Sequence, residues 1–220
     1  MKAVVCDLDG TLIDTAPDIH AAANRMLESE GHAPLDMATI ISFIGNGLPH
    51  LVSLVMGARG IDMGKHAELS QRTLDFYNAA SSVLTKPFPG MIDALEALQG
   101  AGHRLGVCTN KPEGAAEKVL EDMGLARFFG VVIGGDSLTV KKPDPAPLHA
   151  AFEALGARAR LYVGDSEVDA ATAAAAAVPF ALFTEGYRKV PVEELTWVAT
   201  FDRFEALPGI AEGAFRKAAE

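Results

Sequence analysis

Short apolar runs recur along the chain and predict its fold. They are nearly continuous and rich in Val and Leu, which is typical of strands that a parallel sheet buries on both faces. The runs span residues 3–8, 104–109, 130–134, 160–164 and 179–183, with a weaker one at 196–201. Stretches with helical spacing lie among them at 91–101, 113–124, 146–156 and 167–177, and a last helix is expected to end near Ala219. This alternation predicts an α/β protein with a doubly wound, Rossmann-like parallel sheet.

The interval between the first two predicted strands is much longer than a crossover requires. About 95 residues separate Leu8 from Arg104, whereas a simple crossover needs one helix and two short loops. Helical spacing is present at 18–30 and 66–79, and the interval contains no clear strand pattern. We therefore expect an inserted helical cap domain over residues 16–85.

Proline marks both connections of this insert. The segments 14–17 and 86–90 contain Pro17, Pro87 and Pro89. Two closely placed connections of this kind would act as a hinge. The core domain is then expected to consist of residues 1–15 and 86–220.

Composition limits the classes of partner. The 220 residues include 29 acidic and 19 basic side chains, which give a formal net charge of −10. Because nucleic-acid backbones are bound by clustered Lys and Arg, no nucleic-acid partner is expected. No apolar run approaches the roughly 18 residues of a membrane span, and Asp7 interrupts the first run too early for a signal peptide. We expect a cytoplasmic protein without a membrane partner, either a monomer or a homodimer.

The two cysteines agree with a reducing compartment. Cys6 and Cys108 have no paired spacing, so they form neither a disulfide framework nor a zinc site. Both fall near the ends of predicted strands. Buried apolar packing is therefore favoured over a redox switch.

Polar residues follow four of the predicted strands. Ligands bind beyond the carboxyl ends of strands in open parallel sheets, so these segments are expected to form one site. The segments are 7–12, 109–111, 141–145 and 164–169.

The first segment contains two alternating carboxylates, Asp7 and Asp9. They serve one site only if the backbone turns between or after them, and Gly10 permits such a turn. Asp7 is the predicted nucleophile, which would form an aspartyl-phosphate. Asp9 is the predicted general acid for the leaving oxygen and then the base for water. Taken alone, the Asp-Gly pair also fits an ordinary turn, and the other segments favour the catalytic interpretation.

A second carboxylate segment suits a magnesium ion. Mg²⁺ takes oxygen ligands and keeps several waters, so Asp7 and Asp165 are candidate ligands. Ser166 and Asp169 also have the spacing of a helix capping box. Both interpretations can hold together, with Asp169 placed behind the ligands.

The remaining segments offer groups for a phosphate. Thr109 and Asn110 lie where a strand leads into a helix, and the N–H groups there suit an anion, although a plain helix cap is the alternative. Lys142 precedes Pro143, which favours an extended backbone, and its ammonium would offset the charge of phosphate and Asp7. Lys141 is expected to be a solvated neighbour.

The insert contains a further candidate, the turn Gly45-Asn46-Gly47. It is expected to begin a helix whose N–H groups meet a substrate carboxylate when the cap closes. An ordinary loop is an equal alternative from these residues alone. His50 follows closely and is the histidine most worth testing.

These segments together resemble the haloacid dehalogenase-like superfamily, and within it the phosphoglycolate phosphatase family. The resemblance covers about residues 3–190. It is carried by Asp-Leu-Asp-Gly-Thr-Leu-Ile-Asp at 7–14, Cys-Thr-Asn-Lys-Pro-Glu at 108–113, Lys-Pro-Asp-Pro at 142–145, Val-Gly-Asp-Ser-Glu-Val-Asp at 163–169 and Phe-Ile-Gly-Asn-Gly at 43–47. Thr15 stands where Ser is commoner, and the stretch after Tyr187 matches little.

The resemblance implies specific roles for these residues. It adds the backbone carbonyl of Asp9 as a metal ligand beside Asp7 and Asp165, and it implies a phosphate cradle formed by Gly10, Thr11, Thr109 and Asn110. It implies a Mg²⁺-dependent phosphatase acting on a small phosphorylated metabolite, most specifically 2-phosphoglycolate.

Other activities are weighed against this one. A phosphatase or mutase acting on sugar phosphates or another small phosphometabolite is the nearest alternative. A dehalogenase needs neither Asp9 nor Asp165. A signalling receiver module is shorter and lacks the helical insert.

Overall fold

The computed structural model describes residues 1–80 and 82–217. The strands are β1 (Lys2–Cys6), β2 (Ile13–Asp14), β3 (Lys86–Pro87), β4 (Arg104–Cys108), β5 (Val132–Ile133), β6 (Ala159–Gly164), β7 (Phe180–Phe183) and β8 (Ala199–Phe201). The α-helices are α1 (Ala16–Ser29), α2 (Met37–Phe43), α3 (Leu48–Arg59), α4 (His66–Ala80), α5 (Met91–Gly100), α6 (Glu113–Asp122), α7 (Ala146–Ala154), α8 (Glu167–Ala175) and α9 (Leu207–Lys217).

Six strands form one parallel sheet in the order β5-β4-β1-β6-β7-β8. The central strand β1 pairs with β4 on one side and with β6 on the other. The loops that leave β1, β4 and β6 therefore emerge side by side at one edge of the sheet. This order positions three of the four predicted polar segments as neighbours.

Each face of the sheet is covered by its own apolar core. Val4 and Cys6 face a core formed with α5, α6 and α9. Ala3 and Val5 face the opposite core, formed with α7 and α8. Because successive side chains of a strand point to opposite faces, all four buried positions of β1, residues 3–6, must be apolar. Burial on both sides explains its continuous apolar run and confirms the doubly wound architecture.

Helices α1 to α4 pack on one another around a separate apolar core. Met26, Leu27, Val52, Met56 and Leu69 are fully buried within it. This helical layer lies over the carboxyl edge of the sheet and borders a cavity there. We propose that it is the cap domain of residues 16–85. No helix in the described ranges combines the length and apolarity needed to cross a bilayer.

The two connections between the sheet and the helical layer run side by side. Strand β2 pairs with β3 in an antiparallel bridge, and Phe88 N donates to Leu12 O at 3.1 Å. Asp18 at the start of α1 accepts from Thr85 N at 2.9 Å and from Thr85 Oγ1 at 2.6 Å. The connections therefore form the paired arrangement that a hinge requires.

The predicted elements occur, with ends that differ by a few residues. The run at 130–134 forms only the two-residue β5, because Gly134 and Gly135 turn the chain against Glu113 and Asn110, where a Cβ would overlap the backbone. The Ala-rich helix α8 lies close on the sheet, as expected, with Ala170 and Ala173 buried. The predicted end near Ala219 lies outside the described residues.

Candidate active site

The carboxyl edge of the sheet brings Asp7, Asp165 and Asp169 together. Asp7 follows β1, while Asp165 and Asp169 follow the neighbouring β6. Each offers a carboxylate oxygen, and these atoms lie within 4.8 Å of one another. Lys142 Nζ, from the loop after β5, lies 2.8 Å from Asp7 Oδ1. The sequence therefore correctly predicted that these segments converge.

A tight turn directs Asp7 and Asp9 to the same cavity. Gly10 has a φ of 87°, a conformation that favours glycine, and its N–H donates to Ile13 O at 2.9 Å. A Cβ at Gly10 would lie 2.7 Å from Asp165 Oδ2. Both carboxylates line the cavity between sheet and cap. The turn that the sequence required is thus present, and it packs directly on Asp165.

Lys142 is a fully buried cation. Its Nζ donates to Asp169 Oδ1 at 2.7 Å and to Tyr162 Oη at 2.9 Å. Burial alone would lower the pKa of Lys142, but Asp169 and Asp7 hold that pKa above its ordinary value. The ammonium is therefore charged at neutral pH, and its partners fix it beside Asp7.

Asp169 accepts hydrogen bonds from Lys142 and from the two residues beside it, Tyr162 and Ser166. Its Oδ1 accepts from Tyr162 Oη at 2.7 Å as well as from Lys142, and its Oδ2 accepts from Ser166 Oγ at 2.6 Å and Ser166 N at 3.1 Å. The capping box predicted for Ser166 and Asp169 is present at the start of α8. Both oxygens of Asp169 thus face protein donors, an environment suited to a residue that positions Lys142.

Asp165 is held by two donors in a fully buried position. Thr11 Oγ1 donates to its Oδ1 and Tyr187 N donates to its Oδ2, each at 2.6 Å. Gly186 packs so closely that an added Cβ would overlap Asp165 and the carbonyl of Gly10. These contacts leave Asp165 little freedom to move.

The site contains more negative than positive charge. Burial raises the pKa of Asp7 to about 7, although Lys142 acts in the opposite direction. Burial, with Asp169 and Asp7 nearby, raises the pKa of Asp165 well above its ordinary range. Asp7 Oδ1 makes no hydrogen bond of good geometry to any described residue. A buried carboxylate cluster of this kind is stabilised in its ionised form by a bound divalent cation.

Asp9 has a different environment from the carboxylate cluster. Lys111 Nζ lies 3.0 Å from its Oδ1 and 3.3 Å from its Oδ2, and Thr15 Oγ1 donates to Oδ1 at 2.7 Å. No role was predicted for Lys111, although it directly follows the predicted Thr109 and Asn110. None was predicted for Thr15, which was noted only because Ser is commoner at this position in the family. Both residues restrain the carboxylate that faces the cavity.

The predicted phosphate-binding residues are divided between two places. Thr109 and Asn110 line the cavity, whereas the Thr11 hydroxyl is engaged by Asp165. Thr109 Oγ1 accepts from Lys111 N at 3.2 Å. The Asn110 amide donates to Gly45 O and to Lys142 O, each at 3.0 Å. Asn110 therefore connects the cap loop to the loop that carries Lys142.

The cap loop begins a helix, as predicted. Gly47 is the N-terminal cap of α3, with a φ of 84°, and Gly45 and Gly47 line the cavity. Asn46 does not line the cavity; its carbonyl accepts from Lys141 Nζ at 2.8 Å. Lys141 is exposed, as expected, and His50 is also exposed. His50 is not among the described residues that line the cavity.

Tyr187 is a third residue for which the sequence predicted no role. Besides its N–H contact to Asp165, its hydroxyl donates to Asp14 Oδ1 at 2.6 Å and accepts from Ala16 N at 2.9 Å. Tyr187 thus joins the carboxylate cluster to the connection that leads into α1. Tyr187 belongs to none of the motifs that carry the family resemblance, so the sequence offered no signal for this role.

Cys6 and Cys108 are both free and buried. Burial raises the pKa of Cys108 to about 12 and raises the pKa of Cys6 further. Both thiols are protonated at neutral pH, which agrees with the predicted apolar packing.

Comparison with known proteins agrees with this geometry. The model of the haloacid dehalogenase-like hydrolase family matches residues 4–183. A phosphoglycolate phosphatase from Cereibacter sphaeroides is 51% identical over 212 residues, covering 96% of this chain and 97% of that protein. One from Rhodobacter capsulatus is 43% identical, with 96% and 97% covered.

A solved structure extends the comparison to the fold. The crystal structure of a predicted phosphoglycolate phosphatase from Haemophilus somnus superimposes with a TM-score of 0.89 and 27% identity, covering 96% of this chain and 97% of that one. With sheet order, converging loops and relatives in agreement, the chain belongs to the haloacid dehalogenase-like hydrolase family.

Proposed function

We propose that this enzyme is a Mg²⁺-dependent phosphatase that hydrolyses 2-phosphoglycolate to glycolate and phosphate. The reaction is supported above all by the 2.8 Å contact between Asp7 and Lys142 beside two further buried carboxylates. The substrate is supported by relatives named phosphoglycolate phosphatase that are up to 51% identical over almost the whole chain.

Asp7 and Asp9 divide the chemistry between them. Asp7 attacks phosphorus and forms an aspartyl-phosphate, while the bond to the alcohol oxygen breaks and Asp9 gives that oxygen a proton. Asp9 then takes a proton from water, whose oxygen attacks phosphorus. The second step releases phosphate and returns Asp7 as a carboxylate.

The neighbouring groups hold the phosphoryl oxygens. The Lys142 ammonium offsets their charge beside Asp7, where burial strengthens the interaction. Thr109 and Asn110 border the same cavity and would contact the phosphoryl oxygens. Gly10 and Thr11, whose N–H groups donate to Ile13 and Leu8, would support the phosphate cradle through the turn that they form after Asp9.

Asp7, Asp165 and the backbone carbonyl of Asp9 would hold the magnesium ion. The excess of buried carboxylate oxygens over cations suits this ion. When bound, Mg²⁺ neutralises phosphoryl charge as a Lewis acid. Asp169, whose oxygens face Lys142, Tyr162 and Ser166, supports the site from behind.

The helical cap would close the site during turnover. The paired connections that contain β2 and β3 provide the hinge. Closure excludes bulk water from the aspartyl-phosphate, so that the water that reacts is the one that Asp9 deprotonates. The loop Gly45–Gly47 would meet the substrate on closure.

A panel of phosphomonoesters, assayed with Mg²⁺ and with EDTA, tests this function. We expect the highest kcat/KM for 2-phosphoglycolate and loss of activity with EDTA. Higher kcat/KM for a sugar phosphate would overturn the substrate. Conversion of glucose 1-phosphate to its 6-phosphate without phosphate release would identify a mutase instead.

A further inference from the structure

One buried hydroxyl beside the candidate active site lacks a partner. Tyr77, on cap helix α4, is 3% exposed and lines the cavity that also contains Asp7 and Asp9. Its hydroxyl makes no hydrogen bond to any residue that the structure describes. A buried hydroxyl without a hydrogen-bond partner is unfavourable, unless a bound ligand supplies that partner.

Lys111 brings a positive charge to the same place. Its Nζ lies 4.3 Å from the centre of the Tyr77 ring and its side chain is 6% exposed. Its ammonium lies 3.0 Å from Asp9 Oδ1, and this ion pair stabilises the charge of the buried lysine. A Lys ammonium has three donors, and the contacts to Asp9 do not use all of them. Lys111 is thus a charged donor at the boundary between cap and core.

Among the described residues that line the cavity, Tyr77 is the one polar side chain on the cap side, while Lys111 lies on the core side with Asp7, Asp9, Thr109 and Asn110. The apolar lining residues come mostly from the cap: Ile19, Ile44, Leu48, Leu51 and Leu74. The cavity measures about 60 Å³, whereas one water needs roughly 10–15 Å³ on the same measure. The cavity therefore has room for several water-sized groups beside Lys111 and Tyr77.

The position of Asp9 relates these groups to the substrate. In the proposed function, the leaving oxygen lies within hydrogen-bond reach of Asp9. In a 2-phospho acid, a single carbon atom separates that oxygen from the carboxylate. The carboxylate therefore falls close to the cation that contacts Asp9, which is Lys111. The same ammonium separates two negative charges that would otherwise repel each other.

From these contacts we propose that Lys111 and Tyr77 form the recognition pair for the carboxylate of the leaving group. The ammonium supplies charge from the core and the hydroxyl supplies a hydrogen bond from the cap. The class of substrate is thus a short phosphorylated 2-hydroxy acid, and this assignment rests on the proposed function. It also links specificity to closure, because the pair forms only when α4 lies against the core.

Tyr77→Phe tests the pair because it removes the hydroxyl and keeps the ring. The measurement is kcat/KM for 2-phosphoglycolate and for ethyl phosphate, which has the same chain length without the carboxylate. We expect the ratio of the two values to fall about 10- to 100-fold, the effect of one charge-assisted hydrogen bond. Lys111→Met is expected to lower the ratio at least as far.

A matched lysine serves as control. Lys118 is exposed, pairs with Asp122 and lies outside the cavity, so Lys118→Met should leave both values at the wild-type level. A Tyr77→Phe ratio within about threefold of wild type, with both substrates slowed equally, overturns the recognition pair but leaves the phosphatase intact. Failure of the wild-type enzyme to hydrolyse either compound overturns the proposed function, and the pair with it.

Discussion

Asp169→Asn is the substitution that most sharply tests how the buried charges are held. Asp169 is completely buried, and its two oxygens accept from Lys142, Tyr162 and Ser166. Asparagine has the same shape but one acceptor oxygen, so its NH₂ group must face donors. The substitution also leaves the Lys142 charge with one fewer buried partner.

The expected cost follows from these contacts. Removing one member of a buried ion pair typically costs about 3–5 kcal/mol. A protein of this kind has a total stability of only about 5–15 kcal/mol. The variant should therefore fold, with a clearly lower free energy of unfolding. Because Lys142 is then poorly positioned beside Asp7, we also expect kcat to fall about 100-fold.

Urea unfolding monitored by circular dichroism gives the free energy of unfolding, and the rate of phosphate release gives kcat. Asp144→Asn is the matched control, because Asp144 is exposed and accepts from Ala146 N, a contact that asparagine reproduces. The control should lose less than about 0.5 kcal/mol. A loss below about 1 kcal/mol for Asp169→Asn would refute the reasoning, because a buried ion pair cannot be broken at so small a cost.

Two further predictions concern the hinge and the response to acid. Tyr187→Phe removes the hydroxyl that contacts Asp14 and Ala16; we expect the urea-derived free energy of unfolding to fall by about 1–3 kcal/mol, and an unchanged value would contradict the contact. Lys2 holds the pKa of Glu212 below its ordinary value of 4.5. Ionised Glu212 therefore stabilises the fold above pH 4.5. This contribution is lost as the pH falls through the pKa of Glu212 in the folded protein, which lies below 4.5. Glu212→Gln should make stability fall less steeply below pH 4.5, and an identical pH dependence would exclude the interaction.

The fold was largely predictable because the sheet is buried on both faces. That environment requires continuous apolar runs, and β1 shows one between Lys2 and Asp7. The two-residue strands β2 and β3 were not predicted. Their pairing joins Ile13 to Pro87 across the whole insert, and so short a strand has no periodicity to detect.

The candidate site was predictable where its residues follow strands. Asp7 and Asp165 end neighbouring parallel strands, so topology alone brings them together. Lys111, Tyr77 and Tyr187 were not predicted. Their positions depend on how the cap packs on the core and on contacts between distant segments, and no local pattern carries that information.

In the proposed mechanism Asp7 accepts the phosphoryl group. Asp9→Asn should slow hydrolysis of the intermediate, so this variant can be mixed with 2-phosphoglycolate and Mg²⁺, quenched in acid and digested for mass spectrometry. We expect a phosphoryl group on the peptide that contains Asp7, and its absence after Asp7→Asn. An unmodified Asp7 peptide, together with normal turnover by Asp7→Asn, would exclude Asp7 as the phosphoryl acceptor.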